Sequence, residues 1–65
     1  MQITVNGDGR EFSGTTLTEL LAELGIAPER VAVELNLDIV PKNIYETTDI
    51  NPGDQIEIVH FVGGG

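Results

Sequence analysis

Few residues in this sequence could do chemistry, and the most suggestive group is not a side chain. There is no cysteine and a single histidine, His60, so no thiol is available as nucleophile, redox centre or sulfur site. The chain closes on Val62-Gly63-Gly64-Gly65. A terminal carboxylate on Gly65 has no neighbouring side chain, which lets an activating enzyme approach its carbonyl carbon from either face. Residues without a Cβ form the thinnest possible peptide, and at about 3.3 to 3.6 Å per extended residue the triplet reaches roughly 10 Å. That is deep enough to thread a narrow cleft. The same residues also read as a frayed end or a cloning remnant, because glycine has the most backbone entropy to lose and terminal residues are commonly disordered. Imidazole titrates near neutrality, yet no Ser, Cys or Asp constellation accompanies His60, so a structural or interface histidine is favoured over a general base. Carboxylates occur only as a solvated face, and Gly7 and Gly9 sit in a hairpin turn rather than in a phosphate-binding loop. The chain lacks a catalytic set of its own.

Length and composition narrow the classes further. Sixty-five residues make one domain with one small core, and a chain of this size buries only about 60% of its unfolded surface. Without cysteine neither a disulfide framework nor a thiolate zinc site is possible. Hydrophobic residues at 40% and charged residues at 22% are ordinary for a folded domain. Eleven acidic residues against three basic ones give a net charge of −8, which repels phosphate backbones and anionic lipid and argues against nucleic-acid or membrane partners. The acidity either steers the domain toward a basic partner surface or simply keeps it soluble. No apolar run approaches the roughly 20 residues of a membrane span. Met1 begins directly on a strand-like pattern without a basic-then-apolar leader, so a cytoplasmic protein is the expectation.

Regular elements must position that end. Gln2-Ile3-Thr4-Val5-Asn6 alternates with period two and predicts a strand with Ile3 and Val5 inward. Asn6-Gly7-Asp8-Gly9 signals a turn, with a return strand through Arg10-Glu11-Phe12-Ser13 and Phe12 closing one end of the core. Thr16-Leu17-Thr18-Glu19 fits a capping box. The helix it opens carries Leu17, Leu20, Leu21 and Leu24 on one stripe with Glu19 and Glu23 facing water, and it ends at Gly25 with Pro28 beyond. This leucine stripe reads as core rather than as a partner groove. Val31, Val33 and Leu35 alternate in a third strand, followed by a turn from Asn36 to Asp38. Ile39-Val40 begins a short extended piece broken by Pro41, and Ile44 and Ile50 are expected to anchor an irregular segment. Asn51-Pro52-Gly53-Asp54 suits a type II turn that launches the last strand, Gln55 to Val62. That strand places Ile56, Ile58, His60 and Val62 on one face and Glu57, Val59 and Phe61 on the other. Val59 and Phe61 fit either a centrally buried strand or a strand whose far end contacts another protein.

The order strand, strand, helix, strand, short strand, strand with a diglycine end resembles the ubiquitin-like β-grasp superfold. Within it, Ile58-Val59-His60-Phe61-Val62-Gly63-Gly64-Gly65 is similar to the end of the ThiS family, the sulfur carriers of thiamine biosynthesis. Asn6-Gly7 after the first strand, the capped leucine helix, Ile39-Val40-Pro41-Lys42 and Gly53-Asp54-Gln55-Ile56-Glu57-Ile58 are further matches. Most members end in two glycines, and the extra one here is compatible with that pattern. The resemblance implies an α+β domain over residues 1–62, with a four- or five-stranded mixed sheet, one main helix across one face, and the first and last strands parallel and central. Residues 63–65 would form a flexible reactive tail. It also implies that the domain is a co-substrate, not an enzyme, with no bound cofactor or metal. An adenylating enzyme related to ubiquitin-activating enzymes would use ATP and magnesium to activate Gly65. A sulfur donor protein would then convert Gly65 to a thiocarboxylate, and thiazole synthase would receive the sulfur. Gly64 and Gly63 would supply clearance and reach, while Val59, Phe61, Val62 and Lys42 would dock on partners.

Two other readings share parts of this pattern. The small subunit of molybdopterin synthase uses the same fold and terminal chemistry but usually has a longer chain. A non-reactive β-grasp binding module, similar to TGS domains, would treat the glycines as linker remnants. One residue added after Gly65 separates carrier from module, because only the carrier loses function.

Overall fold

The period-two alternation at the start of the chain becomes strand β1 (Gln2–Val5) in a computed structural model that describes residues 1–62. It pairs antiparallel with β2 (Asp8–Glu11), with Val5 opposite Asp8, so the turn holds only Asn6 and Gly7. Both have left-handed backbones, φ 50° and 84°, the geometry whose twist matches the flanking strands of a two-residue hairpin. The expected turn through Gly9 and return strand at Arg10–Ser13 are therefore too long and too late. Two left-handed residues suffice to reverse the chain, which leaves Asp8 and Gly9 in the ladder. Phe12 follows the strand, 1% exposed, and closes the core as its position implied. Its ring lies against Gly14, where a Cβ would stand 2.5 Å from the ring edge.

Helix α1 (Leu17–Leu24) begins with the capping box. The Glu19 N–H donates to the Thr16 hydroxyl at 3.3 Å, and the Glu19 carboxylate accepts from the Thr16 and Thr15 N–H groups at 3.0 Å each. These two backbone donors, Thr16 first, hold the Glu19 carboxyl below its ordinary pKa by hydrogen bonding to the charged form. At the other end Gly25, at φ 73°, donates to the Ala22 carbonyl and Ile26 donates to that of Leu21, the paired bonds of a Schellman motif. Leu17, Leu20 and Leu21 are buried, and Leu24 packs at the margin.

A single 3-10 turn at Pro28–Arg30 leads into β3 (Val31–Leu35), which pairs antiparallel with β4 (Asp38–Val40). Leu35 faces Asp38, so this turn too has only two residues, Asn36 at φ 52° and Leu37 at φ 75°. Asp38, expected in the turn, belongs to the strand. The irregular segment expected after Pro41 is a 3-10 helix over Lys42–Thr47. Its three-residue turn points Tyr45 inward (3% exposed) and leaves Ile44 41% exposed, so Tyr45 and Ile50, not Ile44 and Ile50, anchor this stretch. In the Asn51–Asp54 turn Gly53 has φ 83°, and the Asp54 N–H donates to the Asn51 carbonyl at 3.1 Å. Strand β5 (Gln55–His60) follows.

The five strands form one sheet in the order β2-β1-β5-β3-β4, with β1 and β5 parallel and the other pairs antiparallel. Ile3, Val31, Val33, Val40, Ile56 and Ile58 join the helix leucines in one core. The expected mixed sheet, with its first and last strands parallel neighbours, is the sheet observed.

Two consequences are measurable. The hairpin at Asn6-Gly7 has glycine at its second left-handed position and the hairpin at Asn36-Leu37 has an 80% exposed leucine there. A left-handed conformation costs a residue with a Cβ about 1 kcal/mol or more, so Leu37→Gly is expected to raise stability by about 1 kcal/mol in urea unfolding; a loss of stability would contradict this account of the turn. Because the Glu19 pKa is depressed in the folded chain, its stabilising effect is present above the unfolded value and lost as the pH falls through the folded one. Glu19→Gln, which keeps a capping-box side chain, is expected to flatten the acid side of the stability profile, narrowing its deficit against the parent chain below pH 4.5.

Candidate functional site

Strand order brings the residues singled out in the sequence to one end of the sheet. Strands β4 and β5 both run antiparallel to β3, and Val40 and Ile58 both face Val33. Lys42, two residues past Val40, therefore arrives where β5 ends and the chain leaves through Phe61 and Val62. The Phe61 N–H donates to the Arg30 carbonyl at 3.0 Å, carrying the pairing with the β3 arm one residue past the strand. Above the Phe61 ring sits the Lys42 ammonium, 4.7 Å from the ring centroid, where the negative face of the ring attracts it.

Val59 lies opposite Ala32 on the sheet face turned away from α1. Val59 and Phe61 are each 59% exposed and Val62 97%. This decides between the two readings of the strand: β5 is central, yet among the described residues its outer face has no second layer, so these side chains are not core. Val62, expected to dock on partners, and His60, expected as a structural or interface residue, share the strand face of Ile56 and Ile58. Both are exposed, because the core ends at the Val31–His60 pair and none of the described residues covers what extends past it. Gly63, Gly64 and Gly65, the expected tail and modification site, lie outside the described residues.

Charge is uneven across the domain. Arg10 pairs with Glu23 at 2.8 Å, while Arg30 and Lys42, the other two of the three basic residues, flank the end of β5. The exit of the chain is thus the basic part of an acidic molecule. Among the described residues no group of three or more His, Asp or Glu converges as metal ligands, and no helix is long and apolar enough to cross a membrane.

Sequence reasoning missed two asparagine side chains that hold β5 in place. Asn6 Nδ2 donates to the Ile58 carbonyl at 3.1 Å, and the Ile58 N–H donates to Asn6 Oδ1 at 2.7 Å. Asn36 Oδ1 accepts from the Gln55 N–H at 2.9 Å, while its Nδ2 donates to Asp54 at 3.0 Å. Both asparagines occupy the first position of a left-handed two-residue turn. That repetition was the available signal, since Asn was read there for its backbone alone.

A five-stranded mixed sheet with parallel first and last strands, one helix across one face and an exposed apolar end at its last strand defines a ubiquitin-like β-grasp domain. The ThiS family model matches residues 3–65, and the chain belongs to the ThiS family. A crystal structure of the thiamine biosynthesis protein ThiS from Geobacter metallireducens superposes with a TM-score of 0.86 at 38% identity, covering 100% of both chains. The Bacillus subtilis sulfur carrier protein ThiS is 44% identical over 50 residues, 77% of this chain and 76% of that one. Thiazole synthase of Paramagnetospirillum magneticum is 50% identical over 66 residues, covering 100% of this chain, which spans only 20% of the length of that protein.

Exposed as they are, Lys42 and Phe61 should contribute little to folding. Alanine at either position is expected to cost no more than about 1 kcal/mol, with about 0.5 kcal/mol of it appearing as coupling in a double-mutant cycle. A loss of several kcal/mol for Phe61→Ala would place that ring in the core after all.

Proposed function

We propose that this chain is a sulfur carrier of thiamine biosynthesis, a protein co-substrate acting in the cytoplasm, with Gly65 as the group that is activated and loaded. The observation that carries the reading is the end of β5: a central, well-anchored strand that leads through exposed Val59, Phe61 and Val62 straight into Gly63-Gly64-Gly65. Membership of the ThiS family supports it, as do relatives named sulfur carrier protein ThiS and thiazole synthase.

A carboxylate is a poor electrophile, because its charge repels nucleophiles and oxide is a poor leaving group. In the proposed cycle a Gly65 carboxylate oxygen attacks the α-phosphorus of ATP, held with magnesium by an adenylating enzyme, and pyrophosphate leaves. The acyl carbon of the resulting adenylate is then attacked by sulfur from a donor protein. AMP departs with the carboxylate oxygen. Where the donor sulfur is the outer atom of a persulfide this leaves an acyl disulfide, and a thiol then attacks the donor-side sulfur. The donor ends in a disulfide, and a thiocarboxylate leaves for thiazole synthase to consume. The carrier supplies no acid or base to these steps. It supplies recognition through its folded end, at Val59, Phe61, Val62 and Lys42, and access through residues without a Cβ.

Intact mass of the chain after incubation with a ThiS-family adenylating enzyme, ATP, magnesium and a sulfur donor tests this. Exchange of one oxygen for one sulfur on Gly65 is expected. Gly64→Val is expected to fold normally and to fail to load, and one residue added after Gly65 is expected to abolish loading. Normal loading of the valine variant would refute the steric role of the glycines, and normal function of the extended chain would refute the carrier reading.

A further inference from the structure

Main-chain groups along β5 alternate between its two neighbours. The Phe61 N–H donates to the Arg30 carbonyl, and the Asn36 N–H donates to the Gln55 carbonyl at 2.8 Å, so odd-numbered residues of β5 face the β3 side. Even-numbered residues face the β1 side. There the Asn6 N–H donates to the Ile56 carbonyl at 2.9 Å, and Ile58 exchanges two bonds with the Asn6 side chain. Strand β1 goes no further, because the chain reverses at Asn6-Gly7. His60 and Val62 are the next even positions. Their N–H and C=O groups continue the edge, and among the described residues no strand lies beside them. The middle strand of the sheet thus has a bare edge over its last stretch, directly before Gly63.

We propose that this edge is a strand-addition site, on which an extended segment of the adenylating partner pairs with the main chain of His60 and Val62. The inference rests on the carrier reading and adds the means by which the partner takes hold of the chain. The edge immediately precedes in sequence the residues the partner has to process, so a strand laid along it holds the chain next to them. A second copy of the chain suits the edge poorly, since each copy carries a net charge of −8 and like charges oppose self-association. The same charge favours a partner segment that is basic, and Arg30 and Lys42, on the β3 flank of β5, lie away from this edge and do not oppose one. Two residues give at most four hydrogen bonds, enough to set register in a complex that must also let go. The exposed Val59, Phe61 and Val62 side chains stand alongside to be covered as that segment pairs.

The test removes one main-chain donor and leaves every side chain in place. A semisynthetic chain carries an ester in place of the amide at Val62, and its KM as substrate is measured in ATP–pyrophosphate exchange by a ThiS-family adenylating enzyme. The melting temperature is measured in parallel. A KM raised about fivefold, the effect of one lost hydrogen bond, with the melting temperature unchanged, is the result expected. An unchanged KM with brisk exchange would overturn strand addition and leave the carrier reading standing. If the unmodified chain supports no exchange at all, the carrier reading fails and this inference with it. A concentration-dependent dimer in sedimentation that the ester abolishes would give the edge to a second copy and overturn the proposal.

Discussion

The parallel pairing of β1 with β5 is the constraint on which the rest of this small domain depends. Its ladder is short, with Thr4 opposite Gln55 and Val5 opposite Ile56. It is extended by Thr4 and Asn6 amides donating to Asp54 and Ile56 carbonyls, and by the Asn6 side chain bonding Ile58 as a further peptide would. Parallel strands cannot be joined by a tight turn, so everything from Asn6 to Asp54 becomes one crossover. That crossover carries the helix over the sheet and returns β3 to the free side of β5. The last strand is thereby caught in the middle of the sheet, with β1 on one flank and β3 on the other. A terminal strand would otherwise lie at an edge, where ends fray.

The same arrangement leaves the sheet one-sided. A single eight-residue helix can cover only the face bearing Ile3, Val33, Ile56 and Ile58. The other face keeps Ile39 75% exposed and Val59 59% exposed, interspersed with Glu34 and Glu57. Among the described residues no further element lies over that surface. Apolar area, two basic side chains and an unpaired strand edge are consequently all gathered where the chain leaves the sheet. The folded part needs no catalytic group to be useful there, because what it provides is a fixed direction of exit.

Much of this was legible in the sequence wherever a local rule governs. The Thr16–Glu19 box, the leucine stripe, the Gly25 stop and the Asn51–Asp54 turn are short-range chemistry, and each appears in the structure. Turn lengths were harder, since Asp8 and Asp38 are turn-formers by type that the ladder recruits as strand residues. Periodicity also could not tell Ile44 from Tyr45, because a 3-10 helix shifts the inward position and no apolar stripe announces it. Side-chain bonds from Asn6 and Asn36 to β5 join residues far apart in the chain, so no local pattern contains them. Whether Val59 and Phe61 are core depended on a second layer being absent, a fact of tertiary structure alone.

The central claim is that one end of the sheet, and not the rest of the domain, is what partner enzymes recognise. Nitrogen-15 correlation spectra of the labelled chain, recorded as a ThiS-family adenylating enzyme is added with ATP and magnesium, test it most directly. The account predicts that the amides of Arg30, Lys42 and residues 59–65 shift or broaden first, while those around Leu37 and the Asn51–Asp54 turn stay in place. Perturbation centred on Leu37 and Ile39, or spread over the outward face of α1 with residues 59–65 untouched, would contradict it.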